Sequence, residues 1–173
     1  MTKPVFPIDF NAIRSAIVQE IKAVTFLDDK HVRAEEAETQ NDPRPRRPYM
    51  AFKIIGPADK SGDDDQELVS DTMWNSGGVR KMTISFHCYG RDHEEAYNYM
   101  TLWQGALNTE PVIQTLREKG IAIWIVGNVA DLSILLNTGY EGRSHMDVTF
   151  GIASNIVSDY GKIEHVDVEG EYL

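Results

Sequence analysis

The sequence predicts an α+β fold, in which a mostly antiparallel β-sheet packs against helices. Apolar residues recur at helical spacing in the first part of the chain, whereas two later segments alternate apolar and polar residues with the period of a strand. Strand segments and helical segments are also grouped in runs rather than strictly alternating. With 173 residues, the chain fits one domain spanning residues 1–173.

The first helix is predicted over residues 9–25. Ile13, Ile17 and Ile21 repeat with a period near 3.6 and so lie on one face of this helix. Asp9 stands at the expected N-cap, where its carboxylate can accept hydrogen bonds from the free N–H groups of the first turn. The helix therefore has one apolar face that must pack against another element.

A polar segment at about residues 28–48 is predicted to form an extended arm. Prolines close this segment and fix its backbone in a polyproline-like conformation. The arm carries three arginines in an otherwise acidic chain, Arg44, Arg46 and Arg47. Long loops in compact domains are usually functional or disordered. Both a solvated linker and an arm that docks on an acidic neighbour fit this pattern.

Three strands are predicted after the arm, at residues 49–55, 68–74 and 79–89. The acidic residues 58–67 predict a loop between the first two strands. Residues 75–78, Asn-Ser-Gly-Gly, predict a hairpin turn, because glycine accepts the positive φ that such turns need. The third strand alternates apolar and polar residues, so one of its faces is expected to pack and the other to be wet.

The remaining segments follow the same rules. Asp92 and Glu95 form the pattern of a capping box at the start of a helix. The elements predicted from here on are a helix at residues 92–108, a short helix at 109–120, a strand at 121–126, a turn or short helix at 131–139, a strand at 145–156 and a last strand at 163–168.

Charge argues against two classes of protein, and cysteine content excludes a third. The net charge of −10 is the reverse of the basic footprint of a nucleic-acid binder, and it repels anionic membranes. A single cysteine, Cys88, cannot form an internal disulfide. No apolar run is long enough to cross a bilayer, and no apolar leader is visible. These features predict a protein made in a reducing cytoplasm.

The search for chemistry yields no catalytic, cofactor-binding or metal-binding residue. The acidic residues 63–65 are consecutive and lack the spacing of a calcium loop. Cys88 lies on the apolar face of a strand and is expected to be buried and unreactive. His87 and His145 fall on wet strand faces and could meet across a sheet, but two solvated histidines are the preferred interpretation over a metal site.

A second feature stands out beside the arginine arm. Glu141, Arg143 and Asp147 lie at the entry and on the outer face of a predicted strand. Arg143 and Asp147 are four residues apart, so their side chains point to the same side of that strand. Ordinary charges at a sheet edge explain this pattern, and so does an ion-pair ladder that fixes a contact between subunits.

Four stretches of the chain, taken in order, resemble a known family. They are Arg47-Pro48-Tyr49-Met50-Ala51-Phe52-Lys53-Ile54, the strand at residues 83–89 with Gly90-Arg91-Asp92, the helix at residues 96–107, and the segment from Asp131-Leu132 through Tyr140-Glu141-Gly142-Arg143 to residues 147–150. In this order they are similar to the tail-terminator or neck-terminator proteins of contractile-tailed bacteriophages.

This resemblance implies a structural virion protein of the tail–neck region, assembled in the host cytoplasm. Such a protein forms a ring, usually of six subunits, that caps the tail tube, ends its polymerisation and receives the connector of the head. It implies no cofactor, no catalytic residue and no membrane, and DNA would pass through the ring without specific binding. The predicted contacts with other copies, the tube, the sheath or the neck use Arg44, Arg46, Arg47, Tyr49, Glu141, Arg143 and Asp147.

Three other functions remain open at this level. A head-completion or connector protein would bind the portal complex instead of the tail tube. A small non-viral ligand-binding α+β domain would have a formed apolar pocket with convergent polar groups. A hydrolase or metal enzyme would need a cluster of titrating groups, which the sequence does not place together.

Overall fold

The computed structural model describes residues 7–35, 44–136 and 139–159, and confirms the predicted α+β fold. The predicted strand at residues 163–168 lies outside the described residues. The elements are α1 (Phe10–Thr25), β1 (Val32–Ala34), β2 (Tyr49–Leu68), β3 (Met73–Gly90), α2 (His93–Ala106), α3 (Glu110–Glu118), β4 (Ile121–Val126), β5 (Ala130–Asp131), β6 (Ile134–Leu136) and β7 (Gly139–Asp159).

The strands form a sheet in the order β1-β2-β3-β7-β4, with the short strands β5 and β6 also paired to β7. β1 pairs with β2 in parallel, and all the other pairs are antiparallel. β3 pairs with β7 along its whole length, from Met73 opposite Asp159 to Gly90 opposite Gly142. These two strands therefore form the centre of the fold.

The core lies between one face of the sheet and the helices. The predicted alternation is confirmed, because Met82, Ile84, Phe86 and Cys88 of β3 and Met146, Val148, Phe150 and Ile152 of β7 are buried. From the helices, Ile17 and Trp103 are completely buried against them. Burial of this apolar face is the main force that holds the helices on the sheet.

Both predicted N-caps are present. The Asp9 carboxylate accepts hydrogen bonds from the N–H groups of Asn11 and Ala12, at 2.9 and 3.0 Å. Asp92 accepts one from the Glu95 N–H at 2.8 Å. The Glu95 carboxylate returns to the N–H of Arg91 at 2.7 Å, one residue earlier than in a standard capping box.

Two glycines let α2 begin directly on the sheet. Gly90 and Gly142 face each other at the end of the β3–β7 ladder. A Cβ on Gly142 would overlap the carbonyl group of Asp92, and one on Gly90 would lie 2.6 Å from the Ala96 nitrogen. The close approach allows the Ser144 hydroxyl to donate to the Ala96 carbonyl at 2.7 Å. This pair is called the glycine seat below.

The predicted loop at residues 58–67 and the predicted turn at residues 75–78 are both wrong. β2 continues to Leu68 through register shifts, and residues 75–78 lie inside β3. The turn lies at residues 69–72, where the Val69 N–H donates to the Met73 carbonyl at 2.8 Å. The glycines of β2, Gly56 and Gly62, lie at irregularities in its pairing with β3. Bulges of this kind place extra residues in β2 without ending the strand.

An ion-pair network stabilises the acidic part of β2. The guanidinium of Arg80 donates to both carboxylate oxygens of Asp64, at 2.6 and 3.0 Å, and Lys60 lies 3.7 Å from the same carboxylate. The hydrogen bond from Arg80 lowers the pKa of Asp64. The middle aspartate of the acidic run is thus paired with a neighbouring strand, which explains why an acidic sequence forms a strand here.

Residues 131–139 also differ from their prediction. The structure has the short strands β5 and β6 there instead of a turn or a short helix. Both pair with the first part of β7, so this segment folds back on the strand that follows it. Pairing with β7 therefore decides the conformation of these short segments, which are too short to be recognised as strands from their sequence alone.

Apart from the buried Met82, Ile152 and Ser154 where it joins the core, a three-stranded segment of the sheet has exposed or half-buried side chains on both faces. It consists of residues 58–68 of β2, 73–82 of β3 and 152–159 of β7, and we call it the distal strands. Val79, Ile156 and Val157 within it are 40%, 47% and 57% exposed. β1 pairs only with Met50–Phe52 of β2, and β4 reaches only to Ile152 of β7. Within the described residues, both outer edges of the distal strands therefore lack a partner strand.

Candidate assembly surface

The face of the sheet opposite the helices carries a row of aromatic and charged side chains, here called the open face. Cross-strand register places Tyr49, Tyr89 and Arg143 in one row, and His87 opposite His145 in the next. Sequence reasoning named three members of this face as contact residues, Tyr49, Arg143 and Asp147. The structure brings them onto one surface because β2 and β7, which carry them, lie on either side of β3 in the same sheet.

Tyr49 forms the start of a stack across three strands. Its ring lies 4.6 Å from that of Tyr89 at an angle of 13°, and the Arg143 guanidinium lies 5.2 Å from the Tyr89 ring centroid. Offset rings and a cation over a ring are both attractive arrangements. Burial is the main cause that raises the pKa of Tyr49 to about 12, and the neighbouring Tyr89 adds to the increase. Tyr49 is therefore neutral and fixed at physiological pH.

His87 and His145 meet across the sheet, as their strand positions allowed, and both rings are half-buried and not separately solvated. Their ring centroids are 4.9 Å apart. Arg143 lies 3.3 Å from His87 Nδ1, and because a guanidinium can only donate, this nitrogen must accept. His87 is then neutral, with its Nε2 proton toward Ser85 at 3.3 Å. His145 Nε2 lies 2.9 Å from Asp147, where it can donate.

We expect His87 to make the protein less stable as the pH falls from 6.5 toward 4. Burial, and then the charges of Arg143 and His145, lower the pKa of His87 to about 4. The unfolded chain binds a proton near pH 6.5 and the folded chain does not, so the free energy of unfolding decreases through this window. Partial exposure screens the effect to about 1–2 kcal/mol.

The measurement is the free energy of unfolding in urea at several pH values, for the wild type and His87→Gln. The amide of the variant can still accept from Arg143 but cannot titrate. Its stability should fall less between pH 6.5 and 4 than that of the wild type. His31→Gln is the matched control, since His31 pairs with Asp28 at 2.5 Å outside the open face. Equal pH profiles for the wild type and His87→Gln would contradict the assignment.

Arg47 and Glu141 join the arm to the sheet. They form an ion pair in which the side chain of Glu141 is 9% exposed and that of Arg47 is 35% exposed. A buried carboxylate without a counter-charge is strongly unfavourable. Among the predicted contact residues, these two therefore contribute to the fold of the subunit itself.

Arg44 and Arg46 lie in a groove beside β1. The groove is lined by Asp29, Lys30, His31, Arg33, Arg44, Pro45 and Arg46. Asp29 is paired with Lys22, which leaves the groove with an excess of positive charge. Both arginines are available to a partner that carries carboxylates, which a guanidinium binds with two parallel hydrogen bonds. We call this feature the arginine groove.

Comparison with known proteins identifies the family. The model of the phage neck terminator protein family matches residues 11–173, nearly the whole chain. The chain belongs to this family. Among curated proteins, the search found no match. As a neck terminator, the chain is a structural protein of the bacteriophage virion that associates with other components of the tail and neck.

In this neck terminator, Glu141, Arg143 and Asp147 do not form an ion-pair ladder with one another within the subunit. Arg143 and Asp147 share a face as predicted, but each contacts a histidine, and Glu141 pairs with Arg47. Their role in a subunit contact stays a prediction. What the structure adds is that the row is already hydrogen-bonded within one subunit, which holds the open face in one conformation.

The open face of the neck terminator does not have the geometry of a hydrolase. Ser85 and Asp147 both approach the same nitrogen of His145, at 3.0 and 2.9 Å, so no proton relay through the ring is possible. The described residues contain no group of three or more potential metal ligands. Burial raises the pKa of the Cys88 thiol to about 12. In the described part, no helix is long and apolar enough to cross a membrane.

Sequence reasoning missed the distal strands as a surface. Their tip exposes Leu68 (53%), Val69 (59%) and Trp74 (40%) beside the turn. The signal was present, because Met73 and Trp74 are large apolar residues beside a strongly acidic stretch. It was assigned to a short internal strand, which would have buried them.

Proposed function

We propose that this neck terminator caps the finished tail tube as a homohexameric ring. The ring ends polymerisation of the tube and presents the surface on which the neck or connector protein of the head docks. The observation that carries this proposal is the segment of distal strands, with two outer edges that lack partner strands among the described residues and with exposed apolar side chains. Such edges pair readily with other chains, and a closed ring satisfies them without continuing into a filament.

The charge of the chain supports a second part of the proposal, that DNA passes through the ring without binding to it. A net charge of −10 repels phosphates and opposes adhesion inside a channel. In the distal strands, Asp63, Asp65 and Glu67 are exposed. Assembly of the ring would take place in the host cytoplasm, before the filled head arrives.

The test is polymerisation of tail-tube subunits with and without the purified protein, followed by negative-stain electron microscopy. Capping predicts a ring at one end of each tube and an end to growth at that ring. Tubes of unregulated length with bare ends would exclude the proposal. Binding to isolated portal complexes in the same preparation would then favour a head-completion or connector protein.

The arginines of the arm are expected to separate into two classes. Arg44→Ala with Arg46→Ala should leave the free energy of unfolding within about 0.5 kcal/mol of the wild type, because both side chains are at the surface. The same double variant should cap fewer tubes, because the arginine groove would lose its charge. Arg47→Ala should lower stability by about 1–3 kcal/mol, because it leaves the buried Glu141 carboxylate without its partner.

Urea unfolding and the tube assay together measure this difference. Arg117→Ala is a matched control, since Arg117 is a cation near the end of α3, far from the groove in the chain. Arg117→Ala should lower stability less than Arg47→Ala does, and it should lower the fraction of capped tubes less than the Arg44 and Arg46 double variant does. Normal capping by the Arg44 and Arg46 double variant would remove the groove from the proposed contacts. Unchanged stability of Arg47→Ala would contradict the structural role of its ion pair.

A further inference from the structure

The two outer edges of the distal strands run in the same direction. β2 and β7 each pair antiparallel with β3, so they are parallel to one another. Two copies placed side by side by rotation about an axis along the strands therefore present a β7 edge to a β2 edge, with the strands parallel. This is the arrangement that repeats around a ring, because the two edges are different surfaces.

Backbone groups along the β7 edge point outward. The Ala153 N–H donates to the Gly120 carbonyl at 2.9 Å, on the side away from β3. Backbone direction alternates along a strand, so the N–H groups of Asn155 and Val157 point the same way. β4 ends its pairing at Ile152. Past that point the outer edge of β7 has no strand beside it among the described residues.

We propose that the outer edge of β7 at residues 153–159 pairs in parallel with the outer edge of distal β2 in the next copy of the chain. The distal strands of all copies then form one closed sheet that surrounds the axis of the ring. This inference rests on the proposed ring and assigns the strands that close it. The partner is a second copy of this chain, bound through main-chain hydrogen bonds.

Charge disfavours the symmetric pairing of two β2 edges. The exposed residues Asp63, Asp65 and Glu67 lie on distal β2, whereas residues 152–158 of β7 carry no charge. Two β2 edges brought together would set carboxylates against carboxylates, and like charges directly opposite one another are destabilising. The β7 edge is uncharged as far as residue 158 and includes the apolar Ile156 and Val157, so a β2 edge that pairs with it avoids this repulsion.

Register within the sheet indicates which residues meet. Glu67, Asn75 and Val157 lie in one row across the distal strands. Rotation about the ring axis continues this row toward the next copy, and strand tilt in a closed sheet shifts it by a few residues. Val157 of one copy should therefore lie near the 63–67 segment of its neighbour.

Mixtures of two proteins, each with one introduced cysteine beside the native Cys88, test the pairing. Val157→Cys is combined with Asp63→Cys, Asp65→Cys or Glu67→Cys in separate experiments, and the mixtures assemble on tail tubes before oxidation. Within one chain, positions 67 and 157 are two strand spacings apart, about 10 Å, which is too far for a disulfide. The wild type, whose only thiol is the buried Cys88, is the control.

The proposal predicts covalent dimers in at least one of the three mixtures, and none when Val157→Cys is mixed with Ala122→Cys on β4. Rings that form without any link between positions 157 and 63–67, or with links between two copies of Glu67→Cys, would overturn the proposed pairing and leave the ring intact. Absence of rings from the wild-type control would instead contradict the proposed function, and the pairing with it.

A charge reversal provides an independent measurement. Val157→Asp should reduce the fraction of capped tubes at least about tenfold, because it faces acidic residues of the neighbour, whereas Val157→Lys should retain capping. Adding Asp65→Lys and Glu67→Lys to the Val157→Asp chain should restore capping, because opposite charges then face each other across the contact. A general loss of strand stability would affect the Asp and Lys variants alike, so equal losses would refute the pairing.

Discussion

Gly142→Ala is expected to destabilise the protein by more than about 4 kcal/mol, or to prevent its folding. The added Cβ would overlap the carbonyl group of Asp92, which is rigid backbone at the N-terminus of α2. Relief of the overlap requires α2 to move off the sheet, with loss of the Ser144 to Ala96 hydrogen bond and of the packing beneath it. Urea unfolding followed by circular dichroism measures the change in the free energy of unfolding.

Gly105→Ala is the matched control for the glycine seat. Gly105 lies in the same helix, and a Cβ there would meet nothing within 4 Å. Alanine favours a helix over glycine, so this variant should be more stable than the wild type by about 0.5–1 kcal/mol. A Gly142→Ala variant as stable as the wild type would contradict the close contact between residue 142 and the Asp92 carbonyl at the start of α2.

Trp103→Ala is expected to lower the free energy of unfolding by about 3–5 kcal/mol. Trp103 is completely buried in α2, and its ring lies 5.7 Å from that of Phe86 on β3. Its indole N–H has no hydrogen-bond acceptor among the described residues, so the loss comes from packing and from the cavity that remains. The same urea experiment measures it.

Trp124→Ala serves as the control for Trp103. Trp124 lies over Gly151 on the open face and is 43% exposed. Its removal takes less apolar area out of contact and should lower stability by about 1 kcal/mol or less. Similar effects of the two substitutions would show that α2 does not anchor the helical layer.

Local patterns were sufficient to predict the helices and the buried parts of the central strands, residues 79–89 of β3 and 145–156 of β7. Asp9 and Asp92 were identified as caps because carboxylates satisfy the free N–H groups of a first turn, and that requirement does not depend on tertiary structure. The alternation that predicted a strand at residues 145–156 is likewise a direct record of which face of β7 is buried. These signals are strong where one residue type has one physical role.

The hairpin was misplaced because glycine and aspartate have more than one role. Gly77 and Gly78 indicated a turn, but in β3 they leave room for the side chains of Asn155 and Asp64 from adjacent strands. The acidic run was assigned to a loop because its pairing with Arg80 is a contact between distant parts of the sequence. The real turn contains Ser70 and Asp71, which are common turn residues, but this signal was weaker than the two glycines and was included in the strand predicted at residues 68–74.

The candidate surface was predicted in part. Tyr49, Arg143 and Asp147 were identified, and their common face follows from strand geometry. The contact between His87 and His145 required the register of β3 on β7, which no local pattern supplies. The ion pair between Arg47 and Glu141 joins residues 94 positions apart. Contacts of this range depend on the whole topology.

The position of β3 between β2 and β7 has a consequence for the kinetics of folding. β2 precedes β3 directly, but the residues that pair with its other edge lie at 142–159. Long-range pairing of this kind folds slowly, on a scale of milliseconds to seconds. At ribosomal speed, the 69 residues between positions 90 and 159 take about 3–14 s to synthesise. Through that interval the β3 edge of the nascent hairpin has no partner strand. The acidic residues of distal β2 are of the kind that opposes aggregation of such a hairpin before the last strand arrives.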